Sequence, residues 1–325
     1  MEVHTLAQPP LPRFDVQIAT PDIAPWLRGN TGVHGVTSYA AAAPGPHVAL
    51  IALTHGNEIA GAVVLDRLLR DRLRPLRGRL SFGFANLGAF ERFDPEQPTA
   101  SRFIDEDLNR LWDPAVLAGP RTSHELERAR EMQPFIETVD VLLDLHSMLW
   151  PSDPLLLSGE TAKGRALATG IGTPPLVVAD SGHVSGRRLI DYGRFADPGA
   201  PQTAVLVEAG QHWEAATVET MLAAVGGFLR HLKMVTADGP LPPPLPGAGE
   251  VRYAEVTVPV TANTSSFAFV RPFRGGDVIA QRNTLIAMDG NAEIRTPHDD
   301  CLLVMPSPRP SRGHTAVRLA RFVSA

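Results

Sequence analysis

Cysteine is almost absent from this chain, which has only Cys301 among its 325 residues. A single cysteine excludes an intramolecular disulfide and a structural metal site built from cysteine thiolates. The fold must therefore be stabilised by packing, for which an apolar content of 44% is sufficient. A reducing compartment is compatible with this composition.

Long apolar runs and blocks of like charge are missing as well. No stretch reaches the ~18 apolar residues of a membrane span, and residues 1–14 lack the basic start and apolar segment of a secretory signal. The formal net charge of -5 and the dispersed arginines offer no attraction to nucleic acid or an anionic membrane. We therefore expect a cytoplasmic protein that acts on a small molecule, with homo-oligomer formation left open.

Short apolar runs alternate with segments of helical periodicity through most of the chain. The strand-like runs are 47–53, 79–86, 139–146, 154–157, 175–179 and 204–208. The helical segments are 58–73, 123–136, 161–171 and 213–232. This alternation predicts an α/β fold with a mostly parallel mixed sheet covered by helices on both faces.

The pattern changes after a dense run of proline and glycine. Residues 239–250 predict a semi-stiff linker, and the short β-type runs that follow predict a small all-β domain at 251–325. These runs are 253–260, 266–270, 277–280, 284–288, 301–305 and 316–322. The predicted organisation is therefore a catalytic α/β domain at 1–238, a linker at 239–250 and the C-terminal β domain.

His55 and Glu58 lie where the first apolar strand ends and a helix begins. Sites in open α/β sheets form outside the carboxyl ends of strands, and a spacing of three residues points both side chains at one spot. Imidazole nitrogen and carboxylate oxygen are both good zinc ligands. The alternative is that this common pattern only caps the helix.

Asp144 and His146 share one face of the strand at 139–146, because residues two apart in a strand point the same way. A carboxylate in an apolar strand is costly unless it is satisfied. One way to satisfy Asp144 is to accept a hydrogen bond from a metal-bound histidine. The alternatives are an Asp bonded to loop amides and a His buried in the core.

Two further groups carry possible chemistry. Glu208 ends the apolar run 204–208, where a carboxylate is a candidate general base; it can instead anchor the following helix. Arg102, Asn109 and Arg110 lie in one loop and can bind a carboxylate, since arginine pairs with it in a bidentate fork. The simpler alternative is a loop of surface ion pairs with Asp105, Glu106 and Asp107.

Taken together, the groups predict a metal centre. His55, Glu58 and His146 would supply three protein ligands to one Zn²⁺ per chain and leave a fourth position for water, which is typical of catalytic zinc. A structural site would be closed by a fourth protein ligand.

The ordered set of these motifs over about residues 47–232 resembles the aspartoacylase and succinylglutamate desuccinylase family, relatives of the zinc carboxypeptidases. The resemblance implies a zinc-dependent hydrolase that cleaves the amide bond of a small N-acyl amino acid. It implies that His55, Glu58 and His146 bind zinc and that Glu208 is the general base and acid. It also implies that Arg102 polarises the scissile carbonyl and that Asn109 and Arg110 bind the substrate carboxylate.

The chain departs from the aspartoacylase branch at several positions. Ser147 stands where that branch has asparagine, and its additional arginine for the acyl group has no clear counterpart. The candidates for that arginine are Arg187, Arg188 and Arg194, and those for a C-terminal substrate tyrosine are Tyr192 and Tyr253. These departures concern the acyl group rather than the zinc chemistry.

Two other functions stay open at this stage. The first is a metallocarboxypeptidase that acts on peptide C-termini with the same chemistry. The second is a binding protein that has kept the fold without catalysis. The C-terminal β domain would either mediate assembly or cover the mouth of the active site.

Overall fold

The computed structural model of the chain describes residues 11–183, 185–237, 239, 241–243 and 249–323. Residues 1–10 and parts of the predicted linker (240 and 244–248) lie outside the described residues. The strands are β1 (Val36–Ala40), β2 (His47–Ala52), β3 (Arg79–Phe84), β4 (Val141–Met148), β5 (Leu155–Leu157), β6 (Leu176–Ala179), β7 (Thr203–Gln211), β8 (Arg252–Thr261), β9 (Phe267–Phe269), β10 (Val278–Ile279), β11 (Leu285–Asp289), β12 (Ala292–Arg295), β13 (Cys301–Val304) and β14 (Thr315–Val323). The α-helices are α1 (Ile59–Arg70), α2 (Leu87–Glu91), α3 (Pro114–Leu117), α4 (His124–Ile136), α5 (Ala162–Ile171) and α6 (Ala215–His231).

Eleven strands form one mixed sheet in the order β1-β3-β2-β4-β7-β5-β6-β8-β14-β13-β10. Its centre is parallel, from β3 through β2 and β4 to β7. Three further strands form a small antiparallel sheet in the order β12-β11-β9. The predicted α/β fold with a mostly parallel mixed sheet and additional C-terminal β structure is confirmed.

Helices cover both faces of the parallel centre. Alternate residues of β2 enter opposite cores, with Val48 and Leu50 on one side and Ala49 and Ile51 on the other. Helices α1, α5 and α6 pack on the first side, while α3 and α4 pack on the second. Strands buried on both faces explain why their sequences read as continuous apolar runs.

The predicted helices are present with small shifts at their ends. Ser123 caps α4 as its side chain accepts a hydrogen bond from the Leu126 N–H at 3.0 Å. Helix α1 begins at Ile59 and ends at Arg70, within the predicted range 58–73. Strands β1 and β12 were not predicted. No helix in the described part of the chain is long and apolar enough to span a membrane.

The C-terminal strands continue the main sheet. Strand β8 pairs in parallel with β6, and β14, β13 and β10 follow by antiparallel pairing. These strands also share a separate apolar cluster that includes Val260, Ile279 and Val317. The division at residues 239–250 stays a prediction, while the pairing shows that the segment after it extends the main sheet directly.

The register of the central strands determines where the predicted motifs lie. Ile51 of β2 is paired with Asp144 of β4, and His146 of β4 is paired with Glu208 of β7. Because these strands run parallel, their carboxyl ends lie at one edge of the sheet. The loop that carries His55 and Glu58 follows β2 at the same edge.

Candidate metal centre and substrate pocket

A tight turn between β2 and α1 brings His55 and Glu58 together. The Glu58 N–H donates to the His55 carbonyl at 3.1 Å, and the Gly56 N–H donates to the Arg102 carbonyl at 3.0 Å. A Cβ on Gly56 would lie 2.5 Å from backbone atoms of Ala89 and Phe90, so only glycine fits. The turn therefore depends on close packing against the neighbouring helix α2.

His55, Glu58 and His146 form one buried cluster. The Nδ1 atom of His55 lies 2.6 Å from Glu58 Oε1, and that of His146 lies 3.0 Å from Glu58 Oε2. One ligand atom from each residue lies within 4.8 Å of the others. Each residue is no more than 4% exposed. The structure thus places side chains from distant parts of the chain around one small volume.

The outer nitrogens of both histidines face aspartates. His55 Nε2 is hydrogen-bonded to Asp107 Oδ1 at 2.9 Å. His146 Nε2 lies 2.9 Å from Asp144 Oδ2, which is an ion-pair distance, but these two atoms are not aligned for a hydrogen bond. Asp144 also accepts a hydrogen bond from the Thr54 hydroxyl at 2.9 Å. A carboxylate behind each histidine is the usual support of a metal-bound imidazole. This donor set fits a divalent transition metal such as zinc.

The cluster is electrostatically suited to a cation. Burial opposes ionisation of Glu58, yet His55 and His146 hold the pKa of its carboxyl well below its usual value. Burial likewise opposes the charge on His146, but Asp144 and Glu58 raise the pKa of its ring well above the usual value. The carboxylates therefore favour positive charge at the centre of the cluster.

Arg102 lies at the rim of this cluster. Its guanidinium is 3.3 Å from Glu58 Oε1 and 3.2 Å from Asp107 Oδ2, and it also approaches His55 Nε2 at 2.8 Å. A metal-binding Nδ1 leaves the hydrogen of the neutral His55 ring on Nε2. Asp107 is then the acceptor for both the ring and Arg102. The arginine is held by charge while its side chain stays 36% exposed towards the pocket.

Glu208 lies in β7 beside His146 and lines the same pocket. Its Oε2 atom is buried and has no hydrogen-bond partner within the described chain. Burial, followed by repulsion from Glu58, raises the pKa of this carboxyl to about 8. A bound cation would counteract that repulsion. An unpartnered carboxylate near neutral pKa suits proton transfer.

Asn109 and Arg110 line the pocket from the loop that precedes α3. The Asn109 side chain accepts a hydrogen bond from the Leu189 N–H at 2.8 Å, and Arg110 donates to the Asn109 carbonyl at 2.7 Å. Burial lowers the pKa of Arg110 to about 10, and nearby Arg102 and Arg318 add to the effect. The pocket encloses about 200 Å³, a size suited to a small molecule.

The arginines considered for an acyl group fall into different environments. Arg188 is buried and lines the pocket, but its guanidinium is bound to Asp180 and Asp191. Arg187 is half exposed and pairs with Asp113, and Arg194 donates to the Glu137 carbonyl. Neither of these two lines the pocket.

The tyrosines considered for the substrate do not line this pocket either. The Tyr192 hydroxyl donates to Glu137 at 2.7 Å. The ring of Tyr253 lies 3.8 Å from the Arg165 guanidinium. Both tyrosines therefore make structural contacts outside the pocket that His55, Glu58 and His146 line.

Three titratable residues of the pocket had not been singled out from the sequence. The Nδ1 atom of His212 is hydrogen-bonded to the Ser147 hydroxyl at 2.8 Å, and burial lowers the pKa of its ring to about 3. His183 and Arg318 also line this pocket. A signal for Arg318 was present, since a charge within the apolar run 316–322 needs a buried partner.

Residues 44–163 match the family model "Succinylglutamate desuccinylase/Aspartoacylase catalytic domain". Over 109 residues, or 31% of this chain, the sequence is 29% identical to "N-acyl-aromatic-L-amino acid amidohydrolase (carboxylate-forming) A" of Danio rerio. That match spans 32% of the relative's length.

Solved structures share the fold of nearly the whole chain. Succinylglutamate desuccinylase from Vibrio cholerae gives a TM-score of 0.67 at 18% identity and covers 89% of this chain and 85% of that one. The Vibrio parahaemolyticus enzyme gives 0.66 at 16% identity, covering 91% and 90%. Residues 44–163 therefore match the catalytic-domain model of the succinylglutamate desuccinylase/aspartoacylase family, in agreement with the resemblance drawn from the motifs.

Proposed function

We propose that this protein is a zinc-dependent hydrolase that cleaves the amide bond of a small N-acyl amino acid. The observation that carries the proposal is the buried cluster of His55, Glu58 and His146, which opens onto a pocket lined by Glu208 and several arginines. The names of the family and of the relatives support amide hydrolysis.

The three clustered residues would hold one Zn²⁺, with Asp107 and Asp144 orienting the two imidazoles. Bound zinc supplies Lewis-acid chemistry, because it polarises an amide carbonyl and makes water acidic enough to attack near neutral pH. Glu208 would accept the proton of the attacking water and deliver it to the leaving amine. Its missing hydrogen-bond partner leaves it available for this transfer.

The arginines would orient the substrate and stabilise developing charge. Arg102 is close enough to Glu58 to face a carbonyl oxygen positioned at the cluster, where it would act as an oxyanion donor. Arg110 and Asn109 would bind the carboxylate of the amino acid. Fixing the substrate by its carboxylate brings the carbonyl into near-attack geometry.

The direct experiment is a hydrolysis screen of the zinc-loaded protein. N-acetyl, N-succinyl and aromatic N-acyl amino acids would be compared with short peptides that have free C-termini. Release of the free amino acid from an N-acyl substrate is expected. Cleavage of peptides alone would instead support the metallocarboxypeptidase, and no hydrolysis with stoichiometric zinc would support a binding protein.

Two substitutions separate metal binding from proton transfer. His55→Ala should lose bound zinc, while Glu208→Gln should keep stoichiometric zinc and lose turnover by about 10²–10⁴-fold. The matched controls are His314→Ala and Glu219→Gln, because both residues are exposed and lie outside the pocket. Full zinc content in His55→Ala would contradict the proposed ligand set.

A further inference from the structure

The C-terminal segment contributes a buried arginine to the pocket. Arg318 lies in β14 between Val317 and Leu319, and it is 4% exposed. It lines the same pocket as Arg110 and Glu208, together with Met305 and Pro306 from the end of the neighbouring strand β13. The pocket wall is therefore built partly by a segment outside the matched residues 44–163.

The charge of Arg318 is only partly balanced by the protein. Its Nε atom lies 2.8 Å from Asp180 Oδ2, but the same oxygen also receives Arg188 at 3.1 Å. Arg188 has a second carboxylate, Asp191, at 2.6 Å. The two arginines thus share Asp180, and Arg188 is the better neutralised of the two.

The other contact of Arg318 brings no negative charge. Its Nη2 atom lies 2.8 Å from a ring nitrogen of His183. Burial and then the positive charges of Arg318 and Arg110 lower the pKa of His183 to about 2, so the ring is neutral and accepts this hydrogen bond. The histidine orients the guanidinium without compensating its charge.

The pocket lining carries more positive than negative charge. It includes four arginines (Arg102, Arg110, Arg188 and Arg318), whereas the acidic lining residues of the described chain are Glu58 and Glu208 at the metal cluster. Asp180 and Asp191 lie behind the arginines and are not among the lining residues. Guanidinium groups in a desolvated pocket bind a carboxylate strongly, because charge-assisted bonds strengthen there.

We infer that Arg318 binds a carboxylate of the substrate and is a specificity-determining residue of the pocket. The inference rests on the proposed amide hydrolysis and extends it to a residue of the C-terminal strands. The carboxylate has two sources in an N-acyl amino acid. It is either the terminal carboxylate of a dicarboxylic acyl group or the carboxylate of the amino acid itself, where Arg318 would act together with Arg110.

The test compares Arg318→Gln with the wild-type protein on two matched substrate pairs. The first pair is an N-succinyl amino acid and its N-(4-methylpentanoyl) analogue, in which an isopropyl group replaces the acyl carboxylate. The second pair is an N-acyl amino acid and its C-terminal amide. The preference is the ratio of kcat/KM for the carboxylate-bearing member of a pair to kcat/KM for its uncharged analogue. For one of the two pairs, this ratio should be about 10- to 150-fold lower in Arg318→Gln than in the wild type, as expected for the loss of a charge-assisted hydrogen bond.

Controls distinguish carboxylate binding from structural damage. A merely structural role would lower kcat/KM for both members of each pair equally and leave the preferences unchanged. Arg318→Lys keeps the charge and should restore part of the lost preference. Arg321→Gln alters an exposed arginine on the same strand and should leave both preferences as in the wild type.

Selectivity lost in the first pair places the acyl carboxylate at Arg318, and selectivity lost in the second places the amino-acid carboxylate there. Unchanged preferences in both pairs would overturn the inference. If the wild-type protein hydrolysed no amide, the proposed function would fail, and succinate binding to the zinc-loaded protein would test Arg318 separately. Succinate affinity should fall at least tenfold in Arg318→Gln, and equal affinity would refute the role.

Discussion

Removing the carboxylate behind His146 should weaken metal binding without dismantling the fold. Asp144 is fully buried, lies 2.9 Å from His146 Nε2 and is held by the Thr54 hydroxyl at 2.9 Å. Asp144→Asn keeps the shape of the side chain and removes its charge. Loss of such an outer carboxylate typically reduces metal affinity by about 10- to 100-fold, or about 1.4 to 2.7 kcal/mol.

The measurement is a competition titration of zinc against a chromophoric chelator at pH 7.5, analysed for the dissociation constant. The matched control is Asp289→Asn, since Asp289 is also buried and accepts the N–H groups of Asn263 and Thr264 at 2.7 and 2.9 Å. The control should lower the free energy of unfolding while zinc affinity stays constant. A dissociation constant for Asp144→Asn within twofold of the wild type would refute the orienting role.

Three further predictions follow from the site. Arg102→Met should retain zinc and lower kcat/KM by about 10²–10³-fold through loss of an oxyanion donor; steady-state kinetics would contradict this if the rate changed less than threefold. Gly56→Ala should destabilise the protein by about 1 to 3 kcal/mol, because its Cβ meets backbone atoms at 2.5 Å; a wild-type melting temperature with full zinc content would show that the turn has more room. Burial lowers the pKa of His212 to about 3, so between about pH 6.5 and 3 the unfolded chain binds a proton that the folded chain does not, and stability falls as pH falls. Between pH 7.5 and 5, the free energy of unfolding of His212→Gln should therefore fall by about 2 kcal/mol less than that of the wild type in denaturant titrations. Equal decreases in the two proteins would contradict the assignment.

The elements that the sequence predicts well are those determined by local pattern. Strand β4 is recognisable as an apolar run because both its faces are buried, and α4 because Ser123 caps a periodic segment. The gathering of His55 and His146 also follows from a general rule, that the carboxyl ends of parallel strands meet at one edge. The roles of these residues remain predictions until metal binding is measured.

Other features depend on pairing that no local pattern reveals. The apolar run 253–260 predicted a strand but not that β8 would pair with β6 of the main sheet. The simpler of the two interpretations of its loop placed Asp107 among surface ion pairs, whereas it contacts His55. Arg318 and His183 meet across 135 positions of the chain, a contact that only the tertiary fold defines.

The parallel pairing of β6 with β8 has a consequence for solubility. Without the C-terminal strands, the backbone of Leu176–Ala179 would form an open apolar edge, the kind of surface on which sheets of separate molecules join. The added strands move that edge outward to β10, which is only two residues long. A truncated chain ending before residue 251 should consequently aggregate, whatever its chemistry.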